Sequence, residues 1–191
     1  MPVLEAVALL RAVVRSPECA KMNLSTVKGY MGELLIKQTL ESELRGSPVE
    51  HFGNQHSHDL QYEHSGKTIR IDVKTSTAKD ERKWGFPYWS WALLNDTKKK
   101  QVSATHFVCA GLNNELNLEA VFVVPVVNLS QFPPDTGQFR NNKHALFLAQ
   151  SLPPASAPGT TNDLYIRSAQ LLQDGKVQRV DREESLVLAC T

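Results

Sequence analysis

The stretch IRIDVKTST, residues 69–77, decides the fold of this chain, because it has the pattern of a strand with one apolar and one charged face. Its aliphatic residues alternate with polar ones, as expected for a strand that is buried on one side. The same alternation places Asp72 and Lys74 on one polar face, about 6–7 Å apart along the strand. The pattern predicts a core strand that carries an acid and a lysine near its end.

The composition of the chain is that of a globular protein. Its 191 residues are 41% hydrophobic and 21% charged, and the formal net charge of +1 names no partner. The cysteines Cys19, Cys109 and Cys190 are far apart and form no CxxC motif, which argues against a disulfide framework or a cysteine-ligated zinc. No apolar run approaches membrane-spanning length. We expect a soluble, cytoplasmic protein with no membrane partner.

The order of the predicted elements indicates an α/β domain with a mixed central sheet flanked by helices. Apolar spacing predicts helices at residues 3–14 and about 25–44, with Ser25 or Thr26 as the N-cap of the second helix. Ser65-Gly66 is the turn of a predicted hairpin. The predicted strands are VEHF (49–52), the two hairpin arms DLQYEH (59–64) and KTIRIDVKTS (67–76), WGFPYWSWALL (84–94), THFVCAGL (105–112) and AVFVVPVVNL (120–129).

The chain is expected to form a single domain over residues 1–191, with its core at about 25–130. The Pro- and Ser-rich stretch SLPPASAPGTTN at 151–162 predicts an exposed connector. A C-terminal segment follows at 163–191, and the sequence leaves its role open.

Two further acids are predicted to approach the acid–lysine pair. Asp59 begins the first arm of the hairpin, and the start of the first arm lies beside the end of the second. Glu33 lies in the second helix, within KGYMGELLIKQTL, where Gly29 and Gly32 would allow the helix to approach the sheet closely. We therefore expect three carboxylates and one lysine to converge at the end of the strand.

Such a cluster has a defined chemistry. Carboxylates that are crowded together repel each other and favour a hard divalent cation, and oxygen ligands suit Mg²⁺. The cation polarises a phosphoryl oxygen and lowers the pKa of a bound water, and a nearby lysine orients the attacking water or neutralises developing charge. The cluster predicts metal-assisted hydrolysis of a phosphodiester.

The ordered set of Glu33 in an early helix, then Asp59, then Asp72-x-Lys74 in an apolar strand resembles the PD-(D/E)XK nuclease superfamily, over about residues 25–130. This resemblance implies a restriction-endonuclease-like core. It also implies that Asp59 and Asp72 are metal ligands, that Lys74 is the catalytic lysine, and that Glu33 is an accessory ligand. Two positions differ from the common pattern: His58 replaces its proline, and Asp72 is an aspartate where glutamate is commoner.

By the same resemblance, the expected activity is Mg²⁺-dependent endonuclease cleavage of double-stranded DNA, with Mn²⁺ as a substitute. A type II restriction endonuclease is the first hypothesis, working as a homodimer and with a companion methyltransferase possible. The alternatives are a structure-selective or homing-type nuclease, such as a junction resolvase, and an inactive nucleic-acid-binding module. RNA as the substrate stays open.

The region from Lys67 to Lys100 has nine basic residues against four acidic ones, which is either an ordinary solvated surface or a patch for phosphates. The predicted nucleic-acid contacts in and near it are His56, His58, Thr75, Ser76, Lys79, Arg82, Lys83, Lys98, Lys99 and Lys100.

Each candidate also has a plainer interpretation. Asp72 and Lys74 could be ordinary charges on the wet face of a strand, and Glu33 could pair with Lys37 on its own helix. Trp89 and Trp91 are expected in the core rather than stacked on bases, whereas Trp84 and Tyr88 are better candidates for an exposed role. The cluster His51, His56, His58 and His64 is expected near the cleft rather than on zinc.

Overall fold

The strand predicted at residues 69–77 is part of an eleven-residue strand in the middle of a six-stranded sheet. The computed structural model of the protein describes residues 3–19, 24–52, 57–78, 88–95, 103–131, 142–149, 168–181 and 184–191. The predicted connector at 151–162 and the basic segment at 97–101 lie outside these residues.

Two helices come first in the described chain, and most of the strands follow them. The helices are α1 (Val3–Arg15), α2 (Ser25–Glu43), α3 (168–173) and α4 (Leu186–Ala189), with short 3-10 helices at Pro17–Cys19 and Val126–Gln131. The strands are β1 (Glu50–His51), β2 (Leu60–His64), β3 (Lys67–Thr77), β4 (Tyr88–Asn95), β5 (His106–Leu112), β6 (Leu118–Pro125), β7 (Asn142–Ala149) and β8 (Gln178–Val180). Among the described residues, no helix is long and apolar enough to cross a membrane.

The main sheet is mixed, with strand order β1-β2-β3-β5-β6-β8. Strands β3 and β5 are parallel, and every other neighbouring pair in this sheet is antiparallel. Helices α2 and α4 contribute to the core on one face. The prediction of an α/β fold with a mixed central sheet flanked by helices is confirmed.

The predicted hairpin is present, and its turn fixes its register. Ser65 and Gly66 both have positive φ, at 50° and 75°, as the two central residues of a type I′ hairpin turn require. Across the two arms, His64 lies opposite Lys67 and Leu60 lies opposite Ile71. The beginning of β2 is therefore held beside the middle of β3.

Helix α2 lies across β3 and buries an aliphatic face on it. Ile36 and Leu40 are fully buried in one core cluster with Ile69 and Ile71. Gly32 makes this approach possible, because a Cβ atom at its position would lie 1.9 Å from Oγ1 of Thr75. The close approach predicted for Gly32 is confirmed.

Two details of α2 differ from the prediction. A Cβ atom at Gly29 would meet nothing within 4 Å, so this glycine is not needed for close packing. The N-cap is Leu24, and no side chain caps the helix, because the helix begins one residue earlier than the capping pattern suggested and takes Ser25 into its first turn. At the other end, Arg45 and Gly46 have φ values of 49° and 102°, which end the helix as expected.

The other face of the sheet is covered by β4, which pairs with β7 in a separate two-stranded sheet. Trp89 and Trp91 are each only 2% exposed, and their indole N–H groups donate to the carbonyls of Leu112 and Ala110 at 3.0 and 3.2 Å. The prediction that these two tryptophans belong to the core is confirmed. Trp84 lies outside the described residues.

The C-terminal segment has a structural role that the sequence left open. Leu171 and Val177 are buried with the tryptophans, and β8 extends the sheet by pairing with β6. Leu186 and Val187 of α4 are buried on the α2 side of the sheet, together with the free thiol of Cys190. The described part of this segment therefore completes the core on both faces.

Candidate active site

The acid–lysine pair lies on one face of β3, as the alternation predicted. The Lys74 ammonium is 2.5 Å from Oδ1 of Asp72, and both side chains are partly exposed. The ammonium also lies over the ring of Phe107 on the neighbouring parallel strand, 5.6 Å from its centroid. The aromatic face and the carboxylate together hold the lysine near the sheet.

Asp59 joins the pair through the hairpin. It directly precedes β2, and its backbone N–H donates to the carbonyl of Ile71 at 2.8 Å. Its carboxylate Oδ2 accepts a hydrogen bond from the backbone N–H of Val73 at 2.7 Å. The side chain of Asp59 is therefore fastened to the strand segment that carries Asp72 and Lys74.

The electrostatics show that the acids of the cluster interact with one another. The pKa of Asp59 is raised to about 7, first by desolvation on burial, then by the negative charges of Asp72 and Glu33. The hydrogen bond from Val73 and the charge of Lys74 oppose this shift. A carboxyl that is buried beside two other acids is destabilised as an anion unless a cation offsets the repulsion.

Glu33 reaches the cluster from α2 and is held by a histidine. The side chain of Glu33 is buried, and its Oε2 lies 2.7 Å from Nε2 of His51 in β1. The His51 ring in turn packs against the ring of Tyr30, one turn earlier in α2, with centroids 5.4 Å apart. The alternative that Glu33 pairs with Lys37 is wrong, because Lys37 contacts Glu41 and the carbonyl of Val49.

Asp59 thus interacts electrostatically with Glu33, Asp72 and Lys74. Within the stretches that the structure describes, no three His, Cys, Asp or Glu side chains are grouped closely enough to hold a metal ion. The acids are instead held one by one, Asp72 by Lys74, Asp59 by Val73 and Glu33 by His51. Their chemistry fits a hard cation, because all the donors are carboxylate oxygens whose charges raise the pKa of Asp59.

The residues predicted to contact nucleic acid have varied positions. His58 is half-buried in the segment before β2, where its ring contacts Phe52 edge-on and its Nδ1 lies 3.1 Å from Oγ of Ser103. Thr75 is turned toward α2, where its hydroxyl donates to the carbonyl of Gly29 at 3.4 Å. Seven of the predicted contacts lie outside the described residues: His56, Lys79, Arg82, Lys83, Lys98, Lys99 and Lys100.

Ser76 is a poor candidate for a nucleic-acid contact. It is 7% exposed, and its hydroxyl oxygen accepts the backbone N–H of Ser90 at 3.2 Å. This bond ties β3 to β4 across the second face of the sheet. The burial of Ser76 corrects the expectation that it faces a ligand.

Sequence reasoning missed the contacts of three residues near the cluster: His51, Tyr30 and Phe107. His51 and Phe107 lie on different elements from the acid or lysine that they contact, and Tyr30 lies on the same helix as Glu33 but packs on His51 of β1. No spacing in the sequence marks such pairings. His51 lies in a strand of only two residues, which offers no periodic signal. The predicted packing of α2 on the sheet was the one sequence feature that could have indicated the contact between α2 and β1.

Comparisons with known proteins give a limited result. No protein-family model matches the chain, and no curated protein matches it. Among solved structures, a bacterial homing endonuclease, I-Ssp6803I, is similar, with 17% sequence identity, 81% of this chain and 95% of that chain covered, and a TM-score of 0.43. The residues of the site itself are therefore the evidence for its chemistry.

Proposed function

We propose that this protein is a metal-dependent endonuclease that hydrolyses phosphodiester bonds in DNA. The observation that supports this proposal is the cluster near the middle of β3, where Asp59 interacts electrostatically with Asp72, Glu33 and Lys74. Acids of this kind beside a lysine combine a place for a divalent cation with a group for the attacking water or the phosphate.

Asp59 and Asp72 would hold Mg²⁺, with Glu33 as an accessory ligand, directly or through water, and Mn²⁺ would substitute. Such a cation supplies Lewis-acid polarisation of a phosphoryl oxygen and neutralises charge on the leaving oxygen. The three acids supply oxygen donors only, which is the ligand type that Mg²⁺ prefers. Occupation of the site would also remove the repulsion that raises the pKa of Asp59.

Lys74 would act on the substrate side of the cluster. Its ammonium is anchored by Asp72 and by the ring of Phe107 but remains partly exposed to solvent. In that position it can donate to the attacking water or to a non-bridging phosphoryl oxygen, and its charge offsets the negative charge that develops in the transition state. Removal of the ammonium should therefore impair the chemical step more than the stability of the fold.

The substrate we propose is double-stranded DNA, and the particular activity is that of a type II restriction endonuclease. The described chain carries one such cluster, so cleavage of both strands would require two copies of the chain, most simply a homodimer. A companion methyltransferase would then protect the host DNA. The local excess of basic residues around β3 supports a polyanionic substrate.

The test is an incubation with mixed unmethylated plasmid and phage DNA, with and without Mg²⁺. Wild type is compared with Lys74→Ala and Asp72→Ala, and the control is Glu115→Gln on the exposed turn between β5 and β6. We expect discrete fragments that require Mg²⁺, and a loss of at least about 100-fold in rate in both site variants but not in the control. Thermal unfolding of each variant shows whether the fold is intact.

Other outcomes separate the alternatives. Preferential cutting of branched DNA would replace the restriction activity by a structure-selective nuclease, and rare cutting at a long site would indicate a homing-type enzyme. Cleavage that survives in Lys74→Ala would overturn the assignment of the site. Salt-dependent DNA binding without any cleavage would leave an inactive binding module.

A further inference from the structure

We propose that His51 is a positioning residue that holds Glu33 in the orientation needed for cation binding. This inference rests on the proposed function, because it assigns to Glu33 the part of an accessory ligand. The contact that carries it is the 2.7 Å approach of Nε2 of His51 to Oε2 of Glu33. This contact joins two separate elements, β1 and α2, at the side of the acid cluster.

Burial explains why Glu33 needs such a partner. The residue is only 8% exposed, and a carboxylate withdrawn from water is costly unless a donor replaces the lost hydration. A ring N–H that donates to a carboxylate makes a charge-assisted hydrogen bond, which is stronger and more directional than a neutral one. Because the bond engages Oε2, the other carboxylate oxygen, Oε1, is the one assigned to a cation or to its water.

Tyr30 fixes the plane of the His51 ring. Its ring lies one turn before Glu33 on α2, with its centroid 5.4 Å from that of His51 and the planes inclined by 31°. A ring packed in this way restricts rotation of the imidazole, so that Nε2 keeps pointing at the carboxylate. The aromatic ring supplies this restraint, and the tyrosine hydroxyl is not required for it.

The backbone of β1 connects this contact to the other ligands. His51 lies opposite Leu60, and the N–H of the following residue, Phe52, donates to the carbonyl of Asp59 at 2.9 Å. The short strand β1 therefore carries the histidine that orients Glu33, and the residue after it makes a backbone bond that fixes Asp59. Partners of this kind, which touch a metal ligand rather than the metal, typically change metal affinity by about 10- to 100-fold when removed.

The experiment measures Mn²⁺ affinity of the full chain at one fixed pH, by electron paramagnetic resonance of the free ion. His51→Leu removes the donor, whereas His51→Gln retains an N–H at nearly the same reach. We expect affinity to fall about tenfold in His51→Leu and to stay within about threefold in His51→Gln. Tyr30→Phe should match wild type, and His64→Leu, at the far end of β2, is the control for loss of a histidine.

A double-mutant cycle separates positioning from general structural damage. In a Glu33→Ala background, His51→Leu should weaken Mn²⁺ binding no further, because its effect acts through Glu33. A further loss in that background would overturn the proposal, and so would equal affinities in wild type and His51→Leu. Absence of any Mn²⁺ binding in wild type would overturn it as well.

The outcome is separable from the proposed nuclease activity. Mn²⁺ binding that depends on His51, in a protein that cuts no DNA, would support the positioning role and reject the nuclease. Metal-dependent DNA cleavage with unchanged Mn²⁺ affinity in His51→Leu would keep the nuclease and reject the positioning role.

Discussion

The carboxylate of Asp59 accepts a hydrogen bond from the backbone N–H of Val73, on the strand that carries Asp72 and Lys74. This bond stabilises the charged form of Asp59, but burial and the neighbouring acids outweigh it and raise the pKa to about 7. Formation of the hairpin therefore brings the carboxyl groups of Asp59 and Asp72 close enough to repel each other.

The first prediction concerns pH. The pKa of Asp59 in the folded protein, about 7, lies above the ordinary value of 3.8, so the folded state holds this proton more tightly. The associated stability is present below about pH 4 and is lost as pH rises through about 7. We expect the metal-free protein to be less stable in urea at pH 8 than at pH 5 by up to a few kcal/mol from this group.

Asp59→Asn should remove most of that difference and should stabilise the metal-free protein at pH 8. Glu115→Gln, on an exposed turn, serves as the matched control and should leave the pH dependence unchanged. Added Mg²⁺ should raise the stability of wild type at pH 8 but not that of Asp59→Asn. If the unfolding free energy changed between pH 5 and pH 8 by the same amount in wild type and in Asp59→Asn, Asp59 would not be the group responsible for the pH dependence.

The second prediction compares two glycines of α2. A Cβ atom at Gly32 would lie 1.9 Å from Oγ1 and 3.0 Å from Cβ of Thr75, so Gly32→Ala forces α2 away from β3. We expect a loss of about 1–3 kcal/mol in the free energy of unfolding, measured with urea. Thr75→Ala should recover part of this loss, because it removes the nearest atom.

Gly29→Ala is the natural comparison, since nothing lies within 4 Å of the added methyl group. Alanine is favoured over glycine within a helix, so this variant should be as stable as wild type or more stable by up to about 1 kcal/mol. Equal destabilisation by the two substitutions would show that helix propensity, rather than contact with Thr75, governs both positions.

The third prediction tests whether the buried tryptophans bind bases. Trp89→Phe removes the bond from the indole N–H to the carbonyl of Leu112, but that carbonyl keeps a second donor, the N–H of Ala78 at 2.7 Å. We expect a loss of about 1–3 kcal/mol in unfolding free energy, mainly from imperfect filling of the core. Affinity for duplex DNA should not change. A tenfold loss of DNA affinity in the folded variant would indicate that Trp89 takes part in DNA binding, against this prediction.

The fourth prediction concerns the attachment of the C-terminal helix. The carboxylate of Glu43, at the end of α2, accepts hydrogen bonds from the hydroxyl of Ser185 and from the N–H groups of Leu186 and Val187. Glu43→Gln weakens this set, because a neutral amide accepts less strongly than a carboxylate and one end of it donates. We expect a loss of about 1–3 kcal/mol, measured by urea unfolding.

Glu63→Gln is the matched control, because Glu63 is exposed and accepts a bond from the hydroxyl of Thr68 on the neighbouring strand. This variant should change stability by less than about 0.5 kcal/mol. If Glu43→Gln were equally silent, α4 would be held by burial of Leu186 and Val187 alone.

The parts of the fold that could be predicted are those with a local signal. Strict alternation through β3, the turn residues Ser65 and Gly66, and the apolar runs of β5 and β6 each define an element without reference to the rest of the chain. The convergence of Asp59 with Asp72 followed, because a hairpin register is itself local. The approach of Glu33 needed one further assumption, that α2 packs on this sheet.

The remaining parts depend on distant contacts. The alternation in β4 predicts a strand but does not indicate its partner. In the structure β4 pairs with β7, which begins at Asn142, in a separate sheet. Strand β8 and helix α4 are only three and four residues long, and tertiary burial rather than propensity holds them. The pairing of His51 with Glu33 is invisible for the same reason, since a strand of two residues has no period.

The turn at Ser65-Gly66 lies at the far end of the hairpin from the acids, and yet it sets their separation. Because the side-chain period of a strand is two, one extra residue in the first arm would move Asp59 to the opposite face from Asp72 and Lys74, and one in the second arm would move Asp72 and Lys74 instead. One residue added to each arm would preserve the facing pairs. The lengths of the two hairpin arms therefore fix the relative positions of the charged side chains at the open end. Changes elsewhere on the surface can alter what the protein binds and leave these positions intact. A change in the length of one arm would always alter them.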